Sequence, residues 1–161
     1  MKLFNLTMQA AAVTALISTA AMAEPVITVT LIDKVGNSDV AIPEMGMGLG
    51  GDMAKAKMGI NASPKQVRPG LVTFKVTNLA SKIVHEVIVA RLPEGTKQLP
   101  YDEAAMMVKE NALQAFGSVN EIDPNRSAAL TLTLKPGKYM LYCNLPGHYM
   151  AGMWTVIDVA P

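Results

Sequence analysis

Segments of alternating apolar and polar residues limit the fold of this chain more than any other feature. They are rich in valine, isoleucine, threonine and leucine and are bounded by glycine, proline or asparagine, which indicates β-strands. The predicted strands, in chain order, are residues 26–33, 71–80, 83–92, 128–135, 138–143 and 153–159. Pro136-Gly137, between two of them, is a tight-turn signal. Strands that are short and this closely spaced predict an all-β fold.

One segment departs from this pattern. Residues 101–117 (YDEAAMMVKENALQAFG) are rich in alanine, methionine and acidic residues and contain no β-branched run. They predict one helix over about residues 102–112, with a proline before it and Gly117 beyond it. The chain has no internal repeat and no domain linker. We therefore expect a Greek-key β-sandwich of six to eight strands with one short helical insertion.

The N-terminus predicts export. Lys2 is followed by an apolar run, and Ala21-Met22-Ala23 has the small-x-small form of a cleavage site. Residues 1–23 are therefore predicted to be a signal peptide, cut before Glu24, and residues 24–161 a single domain in the periplasm. A membrane anchor is the alternative, but polar residues interrupt the apolar run and no stop-transfer sequence follows it. We expect no membrane insertion of the mature chain.

Composition narrows the partners. The formal net charge is +1, which gives no support for binding to nucleic acid or to a charged membrane surface. Half of the residues are hydrophobic, so the mature chain is expected to fold rather than remain disordered. A monomer is the default expectation.

The chain has one cysteine and two histidines. Cysteines of exported proteins usually form disulfides, and a single cysteine cannot do so within its chain. It is therefore a candidate for an intermolecular disulfide, a reactive thiol or a metal ligand. Cys143, His148 and Met153 share one segment, YCNLPGHYMAGM, with four residues between each and the next. One proline and two glycines in this segment let the backbone bend, so that three side chains can face one point.

A thiolate, imidazoles and a thioether are a donor set that suits copper. His85, on a predicted strand, is the only other histidine. Zinc is the rival metal, but it normally completes its tetrahedron with another cysteine, histidine or carboxylate, and a dinuclear copper centre would need a second thiolate. Met150 competes with Met153 for the thioether position. Burial without any metal remains the alternative for Cys143 and His85.

This segment, together with the upstream strand histidine, resembles the copper loop of the cupredoxins, the blue copper family of plastocyanin and azurin. Its four-residue gaps are most similar to those of rusticyanin, auracyanin and sulfocyanin. The resemblance covers about residues 67–159 and implies one copper per chain. It implies equatorial ligands at His85, Cys143 and His148 and an axial ligand at Met153. Periplasmic cupredoxins linked to copper tolerance are also similar.

One residue departs from the family pattern. Many cupredoxins have asparagine or serine directly after the strand histidine, where it helps to lock the two ligand segments together. This chain has Glu86 there. Strand alternation predicts that Glu86 points to the opposite face from His85.

A glycine-rich loop at about residues 44–59 contains several further methionines. Met45 and Met47 are candidate accessory copper ligands, because thioethers bind Cu(I) well. The alternative is that the methionines of this loop cover a hydrophobic face. Met106, Met107 and Met140 are expected to pack in the core.

Three functions follow from these residues. The first is a one-electron carrier that meets its redox partner proteins through an apolar patch around His148; the flanking residues are Leu145, Pro146, Tyr149 and Met150. The second is a copper-tolerance protein that binds or sequesters copper with help from the methionine-rich loop. The third, a cysteine-dependent enzyme, is disfavoured, because no carboxylate is placed to orient either histidine and no nucleophile elbow appears. No catalytic residues are therefore predicted.

Overall fold

A computed structural model describes residues 23–33, 56–96 and 99–161. The predicted signal peptide, apart from its last residue, lies outside these ranges, and so do Met45 and Met47. Eleven strands are assigned in the described ranges: β1 Val26–Asp33, β2 Met58–Ser63, β3 Gln66–Val67, β4 Gly70–Asn78, β5 His85–Arg91, β6 Tyr101–Asp102, β7 Met107–Val108, β8 Ala115–Ile122, β9 Ser127–Leu134, β10 Gly137–Tyr142 and β11 Trp154–Val159. None of the described helical segments is long and apolar enough to cross a membrane.

The strands form two main sheets. The first has the order β2-β1-β4-β9 and the second has the order β3-β11-β10-β5-β8. β1 runs parallel to β4 and β3 runs parallel to β11, while the other pairs in these sheets are antiparallel. β6 and β7 form a separate small hairpin.

The core lies between the two sheets. In β4 the side chains of Val72, Phe74 and Val76 are buried, and the residues between them are partly or largely exposed. Each main sheet contributes residues of this kind to one continuous apolar cluster, the inner cluster. Since alternate residues of a strand face opposite sides, the alternation in the sequence is the direct cause of this sandwich.

A second apolar cluster, the outer cluster, covers the outer face of the second sheet. It consists of Ile88, Ala90, Leu99, Val108, Met140, Tyr142, Tyr149 and Trp154. The central strands β5 and β10 are therefore buried on both faces over most of their length. Leu99 and Val108, from the connection between β5 and β8, and Tyr149, from the segment between β10 and β11, supply the cover.

The structure contradicts the predicted helix over residues 102–112. This segment holds the β6–β7 hairpin and a short 3-10 helix, Glu110–Ala112. The Asp102 carboxylate accepts hydrogen bonds from the backbone N–H groups of Ala104 and Ala105, both at 3.0 Å, which forms a turn where the helix should begin. Val108 is then buried in the outer cluster, so that tertiary packing overrides helix propensity.

Two smaller expectations also change. The strand number exceeds six to eight, because β3, β6 and β7 have two residues each and because β2 and β8 were not predicted. Met140 is fully buried, as expected, and Met107 is partly buried. The expectation of core packing for Met106 is wrong, because its side chain is 50% exposed in the turn between β6 and β7.

Candidate metal centre

The predicted metal ligands meet at one end of the sandwich. His85 is the first residue of β5, and Cys143 directly follows β10, the antiparallel neighbour of β5. Met153 directly precedes β11, the other neighbour of β10. The Cys143 N–H donates a hydrogen bond to the Met153 carbonyl oxygen at 3.0 Å. The pairing of three adjacent strands thus brings together residues that are far apart in sequence.

The segment between β10 and β11 folds into a compact loop. The His148 N–H donates to the Leu145 carbonyl at 2.9 Å, and the Met153 N–H donates to the His148 carbonyl at 3.1 Å. Gly147 and Gly152 both have positive φ, 82° and 101°, in the region that glycine enters without steric cost. These turns direct His148 back over the end of the sheet.

Three donor atoms converge in this loop. The two imidazole Nδ1 atoms, of His85 and His148, are 3.2 Å apart, and the Cys143 Sγ atom is 3.3 Å from the His148 Nδ1 atom. One donor atom from each of the three residues lies within 4.8 Å of the other two. The prediction that the fold would bring His85 to Cys143 and His148 is therefore confirmed as geometry.

Met153 is also in place, while Met150 is not. Met153 is fully buried in the same inner cluster as Cys143. Met150 is partly exposed and packs against the outer cluster instead. Of the two methionines that competed for the thioether position, the packing favours Met153.

Burial controls protonation at this site. Desolvation raises the pKa of the Cys143 thiol to about 11, although the backbone N–H groups of Glu86 and Leu145 favour the thiolate. Desolvation, and then the charge of the neighbouring His148, lowers the pKa of His85 to about 4. Desolvation also lowers the pKa of His148. Without a metal, the site therefore holds a neutral thiol and two neutral imidazoles at pH 7.

This protonation state separates the possible chemistries. A cysteine nucleophile needs a thiolate, which a nearby positive charge or a helix N-terminus usually stabilises. Cys143 has the opposite surroundings, so the site is poorly suited to a cysteine-dependent enzyme. Neutral imidazoles, a thiol that loses its proton to a cation, and a buried thioether are instead donors suited to copper.

Glu86 has a role that strand alternation did not predict. It lines a cleft on the outer face together with Ile88, and its Oε1 atom accepts a hydrogen bond from the Asn144 backbone N–H at 2.8 Å. Desolvation raises the pKa of Glu86, and the Asn144 hydrogen bond opposes that change. The carboxylate thus links the strand of His85 to the residue after Cys143.

The surface around His148 differs in part from the prediction. Pro146 is exposed, and Leu145 and Met150 are partly exposed, as a docking patch requires. Tyr149 is fully buried in the outer cluster, so its predicted place in the patch is wrong. Met106 lies beside the loop instead, because its carbonyl oxygen accepts a hydrogen bond from the Gly147 N–H at 2.8 Å.

Comparison with known proteins identifies the fold. No protein-family model and no curated protein sequence matches the chain. Among solved structures, reduced rusticyanin is 15% identical, covers 84% of this chain and 78% of its own, and has a TM-score of 0.54. Rusticyanin from Thiobacillus ferrooxidans is 16% identical, with coverages of 84% and 76% and a TM-score of 0.53. A reduced auracyanin from Roseiflexus castenholzii is 27% identical, with coverages of 62% and 87% and a TM-score of 0.47.

The chain has the cupredoxin β-sandwich fold, as the resemblance of the copper loop implied. The His85, Cys143 and His148 group beside Met153 has the donor set of a blue copper site. Within residues 23–33, 56–96 and 99–161, no second group of three or more histidine, cysteine or acidic side chains is arranged to hold a metal ion. The described ranges therefore contain one candidate copper site.

Proposed function

We propose that this protein binds one copper ion and carries single electrons between redox partners. The convergence of one donor atom each from His85, Cys143 and His148 within 4.8 Å of one another carries this proposal. His85, Cys143, His148 and Met153 would hold the copper ion. Bound copper would supply the chemistry by alternating between Cu(II) and Cu(I).

The task of the protein is to hold ligand positions that both oxidation states tolerate. Cu(II) favours tetragonal nitrogen and oxygen surroundings, whereas thiolate and thioether ligands suit Cu(I). The backbone hydrogen bonds from Cys143 to Met153 and from Met153 to His148 fix the ligand-bearing segments relative to each other. A frame of this kind limits the movement that accompanies electron transfer.

Electrons would enter and leave at His148. Its side chain is partly exposed, while His85, Cys143 and Met153 are buried. The surface beside it carries Pro146, Met150 and Met106, an apolar patch suited to weak and short-lived docking. Interfaces of transient redox partners are small, below about 1,200 Å². We infer a monomeric carrier rather than an enzyme, exported to the periplasm by its N-terminal segment.

Copper loading of the purified protein tests the proposal. Addition of Cu(II) should produce an intense visible band from charge transfer between the thiolate and copper, at one copper per chain. Cys143→Ser should abolish this band, since serine keeps the shape but removes the sulfur. Met150→Leu is the matched control and should retain it, because Met150 packs away from the inner cluster. A wild-type protein that binds copper and stays colourless contradicts the proposal.

Copper handling is a second candidate, supported by the end of the methionine-rich loop. The backbone N–H groups of Lys57 and Met58 both donate to the Ala151 carbonyl oxygen, at 2.9 and 3.2 Å. The end of the methionine-rich loop is therefore hydrogen-bonded to the segment between His148 and Met153. Under this proposal the loop collects Cu(I) for the site, with Met45 and Met47 as accessory ligands.

Two measurements distinguish copper handling from electron transfer alone. Copper handling predicts that the protein binds more than one Cu(I) tightly and that replacing Met45 and Met47 by leucine removes the excess. It also predicts that a strain lacking the gene grows poorly in added copper. A single tight site together with unchanged copper tolerance contradicts this candidate and leaves the electron carrier.

A further inference from the structure

Asn144 is a buried polar residue in the metal-binding loop. It directly follows Cys143, and only 1% of its surface is exposed. Its Oδ1 atom accepts a hydrogen bond from the Val108 backbone N–H, at 2.6 Å. Its Nδ2 group donates to the Val108 carbonyl oxygen at 3.0 Å and to the Glu110 carboxylate at 2.7 Å. Every hydrogen-bonding atom of this side chain thus has a partner.

The backbone of Asn144 is held as well. Its N–H donates to the Glu86 carboxylate at 2.8 Å. The residue after Cys143 is thereby fixed from β5 through its backbone and from the β6–β7 hairpin through its side chain. A further backbone hydrogen bond joins the hairpin to the loop, from the Gly147 N–H to the Met106 carbonyl oxygen.

Because neighbouring side chains point in opposite directions, fixing Asn144 also fixes Cys143. Consecutive side chains of an extended segment point to opposite faces. The Cys143 side chain packs in the inner cluster, whereas the Asn144 side chain bonds to Val108, which belongs to the outer cluster. The peptide that joins the two residues cannot rotate without breaking hydrogen bonds in a buried position, where unpaired polar groups are costly.

We propose that Asn144 is a positioning residue, which keeps the Cys143 sulfur close to the two imidazoles. The β6–β7 hairpin in turn holds Asn144 in place. This inference rests on the proposed copper site for its functional meaning. Its structural part concerns the metal-free protein alone. The β6–β7 hairpin contributes none of the proposed ligands, so its role is to support the loop and not to bind the metal.

Alkylation of the cysteine in the metal-free protein tests the structural part. The thiol is buried and reacts only when the loop opens, so its rate follows the opening equilibrium. Asn144→Ala removes three hydrogen bonds, two of them buried, and should raise the alkylation rate by about tenfold or more. Glu110→Ala removes one of them and should raise it by roughly threefold. Asn120→Ala, an exposed asparagine that lines the outer cleft, should leave the rate unchanged.

A second control separates positioning from loss of global stability. Val76 is buried in β4 of the opposite sheet, and Val76→Ala should lower the unfolding temperature without loosening the loop. The alkylation rate of Asn144→Ala should exceed that of Val76→Ala under the same conditions. Equal rates in these two variants would overturn the inference, since the effect would then come from stability alone.

Copper spectra test the functional part. In Asn144→Ala and Glu110→Ala the charge-transfer band and the EPR hyperfine coupling of Cu(II) should shift, with the larger shift in Asn144→Ala. Both should stay unchanged in Val76→Ala and Asn120→Ala. Spectra of Asn144→Ala that match a blue wild type refute the positioning role and leave the copper site standing. A colourless wild type refutes the copper site, and the alkylation rates then still decide whether Asn144 holds the loop.

Discussion

Acid should destabilise the metal-free protein through His85. The imidazole is fully buried, and within the described part of the chain its Nε2 atom has no hydrogen-bond partner. Its Nδ1 atom faces the Nδ1 atom of His148 at 3.2 Å. Protonation would bury a positive charge against a second imidazole. Desolvation, and then the neighbouring His148, therefore lower the pKa of His85 from 6.5 to about 4.

The size of the effect follows from the two pKa values. Below pH 6.5 the unfolded chain takes up a proton at this residue, but the folded chain does so only below about pH 4. The free energy of unfolding therefore falls as the pH is lowered through this window, by up to about 1.4 kcal/mol per pH unit. The stabilisation is complete above pH 6.5, and about 3 kcal/mol is lost once the pH is below 4. His148 contributes with the same sign, because its pKa is also lowered.

Urea unfolding of the metal-free protein between pH 4 and pH 7.5 measures this loss. His85→Asn is the reference, because it cannot take up the proton and leaves the carboxylates in place. The raised pKa of Glu86 acts in the opposite direction in both proteins, so it largely cancels in the difference between them. The wild type should lose about 3 kcal/mol more than His85→Asn across this range. Parallel pH profiles of the two proteins would refute the reasoning.

Two further predictions concern the thiol and the frame. At pH 7 the thiol of Cys143 is protonated and both imidazoles are neutral. Cu(II) binding in weak buffer should therefore release about one proton per copper. Release of no proton would contradict the raised pKa of the thiol, and Cys143→Ser is the control. In β10 the Tyr139 hydroxyl donates to the Lys135 carbonyl at 2.8 Å, so Tyr139→Phe should lower the free energy of unfolding by about 1–3 kcal/mol in urea titration without changing the copper spectrum. A changed spectrum would show that this end of β10 does influence the site.

The sandwich could be predicted because its signal is local. In β1, β4 and β9 the side chains that face the core alternate with exposed or partly exposed ones over most of each strand, so a few residues are enough to identify the strand. The candidate ligands in the loop were found for a similar reason, since Cys143, His148 and Met153 are close in sequence. The role of His85 depended on the pairing of β5 with β10, which only the fold and the family resemblance supplied.

The segment from β6 to β8 could not be predicted in this way. Its alanine and methionine content favours a helix, but its conformation depends on residues elsewhere, such as the outer-face residues that pack around Val108. β8 lacks a clear apolar face, and it contains Gly117, where a Cβ atom would lie 2.9 Å from the Leu132 side chain. The sequence placed that glycine beyond the end of the predicted helix, whereas in the structure it lies within β8 and allows β8 to approach β9 closely.

Three buried aromatic side chains explain how the metal loop is held from the outer side. Tyr142 precedes Cys143, Tyr149 follows His148, and Trp154 follows Met153. All three pack in the outer cluster, and the ring of Tyr149 lies 6.3 Å from each of the other two. Neighbouring side chains in extended chain point to opposite faces, so Tyr142 and Trp154, beside Cys143 and Met153, are well placed to anchor the far side of the same backbone. Tyr149 reaches the outer cluster from a turn.

Each ligand of the loop is therefore adjacent to an anchor in the outer cluster, while Cys143 and Met153 also pack in the inner one. A shift of the candidate ligands would have to move large aromatic side chains in a close-packed interior, where few voids exist to receive them. This packing holds the candidate ligands in place from the outer side. The pairing of a ligand with an adjacent aromatic residue was visible in the sequence as Tyr142-Cys143, His148-Tyr149 and Met153-Trp154. Its meaning depended on the outer face of the second sheet being covered, to which the connection between β5 and β8 contributes Leu99 and Val108.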